Sequence, residues 1–153
     1  MKSTSILLSV FLIFFFFTGT HVMNGQKASL PGSKVNEKPE DASELVVLWT
    51  SGDPEVAKKM VFMYVYNAMK AGWWEDITFI IWGPSSRLLA GDKTVQAEIK
   101  KMKEVGINLV ACKACADEYG VSGELEDLGI EVKYMGKPLT KYIKEQAYHV
   151  ITF

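Results

Sequence analysis

Cysteine and histidine are rare in this sequence of 153 residues, which contains two of each. Two cysteines cannot build the framework of a disulfide-rich scaffold. Only His149 accompanies them outside the first 23 residues, whereas a structural zinc site normally needs four cysteine or histidine ligands. An excess of positive charge is also lacking, because 17 basic residues face 18 acidic ones. We therefore expect neither a metal site nor a nucleic-acid partner.

Acidic residues are missing from the first 23 positions. A short polar stretch that contains Lys2 precedes a dense apolar run at residues 6–17. Small residues follow at positions 18–20, and this order is typical of a secretory signal. The run is short for a membrane span, which usually needs ~20 apolar residues. We predict a signal peptide at residues 1–23 and a periplasmic or secreted protein, with an uncleaved membrane anchor as the alternative.

Residues 24–43 are rich in Gly, Pro, Ser, Lys and Glu, and we interpret them as a flexible linker. Hydrophobic residues make up 48% of the whole chain and charged residues 23%, which is ordinary for a globular protein. Residues 44–153 are numerous enough for one three-layer domain with its own core. We predict a single domain over this range.

Short apolar runs alternate with helix signals along residues 44–153. The runs predict strands at residues 45–50, 77–82, 107–111, 130–135 and 148–153. Helices are predicted at residues 54–71, 93–104 and 138–146, with another helix opening at Cys112 and a turn at residues 83–86. Strands that are apolar on both faces and alternate with helices form parallel sheets covered by helices. The predicted fold is a three-layer α/β/α domain with a mainly parallel five-stranded sheet.

Two nucleophilic side chains, Cys112 and Cys115, follow the third predicted strand. Ligands and reactive groups gather at the carboxyl ends of the strands in an open parallel sheet. Cys112 falls where strand meets helix, and unpaired backbone N–H groups there favour the thiolate, which is the nucleophilic form. Cys115 lies one helical turn further on and could resolve a bond made to Cys112. An inert disulfide, or two small buried residues, is the structural alternative.

Polar residues also follow the first two predicted strands. The candidates for binding a small ligand or anion at this edge are Ser51, Gly83, Ser85, Ser86 and Arg87, and a polar turn is the alternative. The glycine fingerprint of dinucleotide-binding proteins is absent. The glycines of residues 83–94 also lack the spacing of a phosphate loop, and Asp92 interrupts the Gly-Lys-Thr order. We expect no cofactor.

The helix predicted at residues 54–71 is apolar around its whole circumference over residues 60–66. Such a helix is either deeply buried or continues into a subunit contact. We favour the second interpretation and expect a homo-oligomer.

The order of these motifs resembles the DsrE/DsrF-like sulfur-relay family. The matching features are Ser-Gly-Asp-Pro-Glu at residues 51–55, Trp-Gly-Pro-Ser at 82–85, Val-Ala-Cys-x-x-Cys-Ala at 110–116, Gly120, and the closing segment 143–153. The resemblance implies a three-layer α/β fold and an assembly of three or six subunits. It also implies that one cysteine, Cys112 by position, carries a persulfide and hands its outer sulfur to a partner. Sulfur-transferring members often have an arginine before the glycine, where this chain has Tyr119.

The leading hypothesis is an exported sulfur carrier that uses Cys112 as nucleophile, with Cys115 releasing the sulfur or closing a disulfide. Its expected partners are a sulfur donor or acceptor protein, or a small thiol. Two alternatives stay open: a non-catalytic oligomeric protein that binds a small ligand, and a disulfide oxidoreductase that uses the Cys-x-x-Cys pair.

Overall fold

The computed structural model describes residues 44–153. The predicted signal peptide at residues 1–23 and the linker at residues 24–43 lie outside the described residues. Within the described part, no helix combines the length and apolar character that crossing a membrane would need.

Five strands pair in parallel in the spatial order β4-β3-β2-β1-β5. Their bounds are Glu44–Trp49 (β1), Asp76–Ile81 (β2), Asn108–Cys112 (β3), Glu131–Lys133 (β4) and Tyr148–Thr152 (β5). After each strand, the chain has to return to the opposite edge of the sheet before the next parallel strand can begin, and helices make these connections. The predicted α/β class and five-stranded sheet are confirmed, and the sheet is entirely parallel.

Helices connect every pair of consecutive strands. Their bounds are Pro54–Val56 (α1), Phe62–Lys70 (α2), Pro84–Gly91 (α3), Lys93–Glu104 (α4), Lys113–Tyr119 (α5), Ser122–Asp127 (α6) and Gly136–Lys144 (α7). A π-helical segment, Ala57–Val61, joins α1 to α2 without a break. The Asp53 carboxylate accepts hydrogen bonds from the N–H groups of Glu55 and Val56 and so caps α1.

The predicted turn at residues 83–86 is wrong, because helix α3 begins there. Pro84 occupies the first turn of α3, where the missing N–H of proline costs no hydrogen bond. Gly83 precedes it with φ of +67°, a left-handed conformation that glycine adopts readily. The Gly-Pro pair therefore starts a helix at this point.

The two faces of the sheet are covered unequally. The larger cluster of buried side chains joins one face to the segment from α1 to α6 and includes Trp49, Phe62, Phe79, Ile99 and Leu125. The smaller cluster on the other face contains Val46, Ile80, Val110, Cys112 and Met135. Leu139 and Tyr142 of α7 pack against this second cluster, and no residue of α7 is fully buried. The cysteine at the end of β3 thus faces the thinly covered side.

Candidate functional site

Cys112 is the last residue of β3 and immediately precedes α5. Its backbone is extended, with φ of −71° and ψ of 109°, and Lys113 then begins the helix. Helix α5 ends at Gly120, whose φ of +67° gives the left-handed conformation that closes many helices. The predicted junction of strand and helix at Cys112 is confirmed, and it places one thiol at the carboxyl edge of the sheet.

The two thiols differ in exposure. Cys112 is 3% exposed, whereas Cys115 is only partly buried, and both are free cysteines. Around Cys112 the buried neighbours are apolar, with Ile80 and Val110 from the sheet and Met135 from the segment after β4. Trp82 and Cys115 pack against the same cluster from its edge. Water therefore reaches Cys115 more easily than Cys112.

Cys115 interacts with two groups that the sequence analysis had placed at this edge. Burial raises the pKa of the Cys115 thiol, and a hydrogen bond with Cys112 raises it further. A hydrogen bond that raises a thiol pKa is one that the protonated thiol donates. The backbone N–H of Gly83 also donates to Cys115, and this contact acts in the opposite direction on the pKa. Cys115 therefore keeps its proton to a higher pH than an ordinary thiol.

Lys113 lies next to the thiols in sequence, but its charge is already paired. Its Nζ is 2.9 Å from the carboxylate of Asp117, one turn further along α5. The hydrogen bond with Asp117 raises the pKa of Lys113. Asp117 also accepts a hydrogen bond from the Ser122 hydroxyl at 2.6 Å. This network holds the positive charge of Lys113 on the flank of α5.

Ser85 and Ser86 are both completely buried in the first turn of α3. The Ser85 hydroxyl donates to the carbonyl oxygen of Trp49 at 2.7 Å and accepts from the N–H of Trp82 at 3.0 Å. Ser85 thus connects the ends of β1 and β2 to α3. The Ser86 hydroxyl has no hydrogen-bond partner in the described part of the chain.

Ser51 lies further along the same edge, in the loop between β1 and α1. Its hydroxyl accepts a hydrogen bond from the N–H of Asp53 at 3.1 Å. In the same loop, Gly52 approaches Pro84 so closely that a Cβ added to it would lie 3.1 Å from the proline Cβ. Glycine at position 52 therefore lets this loop pack against the start of α3.

Arg87 is exposed on α3, and its guanidinium carbon lies 5.3 Å from the centre of the Tyr119 ring. It also lines a cavity of about 330 Å³ whose other residues are Gly52, Pro84, Leu88, Gly91 and Asp92. The contact with Tyr119 was not predicted from the sequence. The spacing of residues in the sequence could have indicated this contact. Arg87 follows Gly83 by four residues, and Tyr119 follows Cys115 by four. Residues four apart share one face of a helix.

Of the predicted site residues, Gly83, Cys112 and Cys115 come together at the ends of β2 and β3. Arg87 lies on α3, which Gly83 precedes, while Ser51 and Ser85 make internal hydrogen bonds. Residues 44–153 contain no group of three or more His, Cys, Asp or Glu side chains able to hold a metal ion. The reactive groups at this edge are therefore two sulfur atoms.

Comparison with known proteins identifies the family. The model of the DsrE/DsrF-like family matches residues 44–153. A solved structure of a conserved protein of unknown function, BT1422 from Bacteroides thetaiotaomicron, is 39% identical, with a TM-score of 0.70, and the match covers 72% of this chain and 95% of that one. The ychN protein from E. coli is 17% identical, with a TM-score of 0.49, over 72% of this chain and 98% of that one. No curated protein is significantly similar in sequence. Over residues 44–153, this chain belongs to the DsrE/DsrF-like family.

Proposed function

We propose that this protein is a sulfur-relay carrier in which Cys112 takes up a sulfane sulfur as a persulfide and passes it to an acceptor thiol. The observation that carries the proposal is the pair of free thiols that pack in one cluster at the carboxyl edge of the sheet in a member of the DsrE/DsrF-like family. Membership supports a sulfur-relay type of function, and the thiol pair supplies the chemistry.

In the loading step, the Cys112 thiolate attacks the outer sulfur of a donor persulfide, R–S–SH. The new bond joins Cys112 Sγ to that sulfur, the S–S bond of the donor breaks, and the donor leaves as the thiolate R–S⁻. In the unloading step, an acceptor thiolate attacks the outer sulfur of the Cys112 persulfide, and Cys112 returns to its thiolate. Both steps conserve electrons, so no oxidant, reductant or cofactor is consumed.

The two cysteines have different roles in this scheme. Cys115 holds its proton, because burial and the hydrogen bond with Cys112 both raise its pKa. Its S–H lies beside Cys112 and can donate a hydrogen bond to that sulfur. The apolar neighbours of Cys112 limit the access of water to the sulfur it carries.

We further propose that the carrier is exported and assembles into a homo-oligomer of three or six subunits. Export is supported by the signal-like pattern of residues 1–23. Assembly is supported by the helix from α1 to α2, on which Met60 and Met63 are exposed although the segment between residues 60 and 66 is strongly apolar. The partners are a sulfur donor and an acceptor, each either a protein or a small thiol.

Mass spectrometry of the protein purified from its own cells without reductant tests this function. We expect a mass increase of about 32 Da, one sulfur atom, on the peptide that contains Cys112. Cys112→Ser removes the increase, while the control Cys115→Ser retains it. The intact mass of the same sample also reports whether residues 1–23 are missing, as a cleaved signal peptide requires.

Each of the other outcomes supports a rival. A complete disulfide between Cys112 and Cys115 that no sulfur donor converts to a persulfide would reject the carrier function and support a disulfide oxidoreductase. Two unmodified thiols that stay unmodified in the presence of a persulfide donor would favour a non-catalytic protein that binds a small ligand. A sulfur adduct that survives Cys112→Ser would contradict the assignment of Cys112.

A further inference from the structure

Two contacts, spaced one helical turn from each other, join α3 to α5. In the first, the N–H of Gly83 at the start of α3 donates to Cys115. In the second, Arg87 packs on the ring of Tyr119. Arg87 follows Gly83 by four residues and Tyr119 follows Cys115 by four, so the two contacts are spaced about one turn along the helices, a rise of ~5.4 Å. The tyrosine ring attracts the cation and restricts where it can lie.

Arg87 is the only arginine in the sequence, and its charge is not neutralised by an ion pair within residues 44–153. The guanidinium is planar and matches a carboxylate with two parallel N–H donors, which lysine cannot do. A cavity of about 330 Å³ lies beside it. This volume lies at the lower end of the range for sites that bind small molecules.

Asp92 also lines the cavity, but its charge is largely used within the protein. One of its oxygens caps α4 by accepting hydrogen bonds from the N–H groups of Thr94 and Val95, and the hydroxyl of Thr94 donates to the same oxygen. The other oxygen lies 3.8 Å from Nζ of Lys58. These hydrogen bonds lower the pKa of Asp92. Of the two charged side chains that line the cavity, Arg87 is therefore the one that can pair with a ligand of opposite charge.

We propose that Arg87 binds the carboxylate of the sulfur donor, and that the donor is a small persulfide bearing a carboxylate near its sulfur. This inference rests on the proposed function and names its substrate class. The carboxylate pairs with the guanidinium over Tyr119, and the persulfide group extends one helical turn toward Cys115 and Cys112. The Cys112 thiolate takes the outer sulfur, and the donor leaves as a thiolate that still carries its carboxylate. The anion-binding residue and the sulfur-accepting residue thus lie on neighbouring helices.

Loading rates with two matched donors test the proposal on the full chain. The persulfide of N-acetylcysteine carries a carboxylate, and the persulfide of N-acetylcysteine amide replaces that carboxylate by a neutral amide. We expect the wild type to load Cys112 up to about fivefold faster from the carboxylate donor, which is the upper end of the range for an exposed ion pair. Arg87→Gln should abolish this preference by slowing loading from the carboxylate donor. The control Lys100→Gln removes one positive charge from α4 and should keep the preference.

Equal rates from both donors in the wild type, or a preference that survives Arg87→Gln, would overturn the proposal. Binding without chemistry separates its failure from that of the proposed function. In a Cys112→Ser/Cys115→Ser variant, we expect S-methyl-N-acetylcysteine to bind by NMR titration, and its amide or the added Arg87→Gln substitution to weaken binding. If neither donor loads the wild type but this binding depends on Arg87, the carboxylate site is supported and the sulfur function is overturned. Binding that ignores Arg87 overturns the carboxylate site.

Discussion

The hydroxyl of Ser85 donates a hydrogen bond of 2.7 Å to the carbonyl oxygen of Trp49, 36 positions earlier in the chain. Ser85 stands in the first turn of α3, and Trp49 is the last residue of β1. The same hydroxyl accepts from the N–H of Trp82, which follows β2. One side chain therefore fixes the position of α3 over the ends of two strands, and with it the amide of Gly83 that faces Cys115.

Ser85→Ala should lower the free energy of unfolding by about 1–3 kcal/mol, because it leaves buried backbone groups with fewer partners. Ser86 provides a matched control, since it is equally buried in the same turn and its hydroxyl has no partner in the described part of the chain. Ser86→Ala should leave stability unchanged or raise it slightly. Urea unfolding midpoints measure both changes. An equal loss in the two variants would contradict a special role for Ser85.

Helix α3 also marks the limit of prediction from the sequence. The strands were predictable because their apolar, β-branched runs are continuous, and helix α4 because its cap and apolar period agree. The segment at Gly83–Ser86 contains glycine, proline and two serines, and a turn is the usual result of such a cluster. Ser85 hydrogen-bonds to Trp49 and Trp82 at the ends of β1 and β2, and no local pattern reveals these contacts, which favour a helix over a turn.

The candidate site was predictable where it depends on topology. Parallel strands end at one edge, so Cys112 and Gly83 were expected to be neighbours. The contact between Arg87 and Tyr119 depends on how α3 packs against α5 and could not be predicted from either helix alone. It also places a cation beside Tyr119, the residue before Gly120 at the end of α5. The cation here comes from a different helix.

Gly83→Ala should destabilise the protein by about 1–3 kcal/mol, because a residue with a Cβ is strained at φ of +67° and ψ of −133°. The cost comes from the backbone, since no atom lies within 4 Å of the added Cβ. Gly123→Ala is the control, because Gly123 is an exposed helical residue with open space around it. It should stabilise α6 by about 0.5–1 kcal/mol. Thermal unfolding of both variants checks the opposite signs.

The reaction of Cys115 with iodoacetamide should require a higher pH than that of an ordinary cysteine, which ionises near ~8.5. Burial and the hydrogen bond with Cys112 both raise the pKa of Cys115. Cys112→Ala removes the second cause and should lower this pKa, while the effect of burial persists. Because the folded-state pKa is the higher one, the unfolded chain loses this proton first, and stability falls as pH rises above the ordinary thiol value.

Peptide mass spectrometry after timed alkylation across a pH series measures the reaction of each cysteine separately. The same protein unfolded in urea is the control and should show an ordinary thiol pKa at Cys115. A Cys115 pKa in the folded wild type equal to that of the unfolded chain would contradict the effect of burial.

Replacing two exposed methionines should disrupt the proposed homo-oligomer. Met60 is 54% exposed and Met63 57%, although both belong to the apolar segment between residues 60 and 66. Met60→Glu/Met63→Glu places two charges there and should reduce the particle mass to that of one subunit, as measured by light scattering. Ile143→Glu is the control, because Ile143 is 64% exposed on α7. Dissociation by Ile143→Glu alone would place the subunit contact elsewhere.

Cys115→Ala should load sulfur on Cys112 and then retain it. In the wild type, the Cys115 thiolate can attack the inner sulfur of the Cys112 persulfide, which forms a Cys112–Cys115 disulfide and expels the outer sulfur as HS⁻. The reaction balances without a further reductant, and the nearness of the two residues favours it. Without Cys115 this route is closed, and only an external thiol can remove the sulfur. Protein loaded by a persulfide donor and freed of small molecules should therefore release sulfide in the wild type, faster as pH rises, and release almost none in Cys115→Ala. Equal sulfide release from both would show that Cys115 takes no part in unloading.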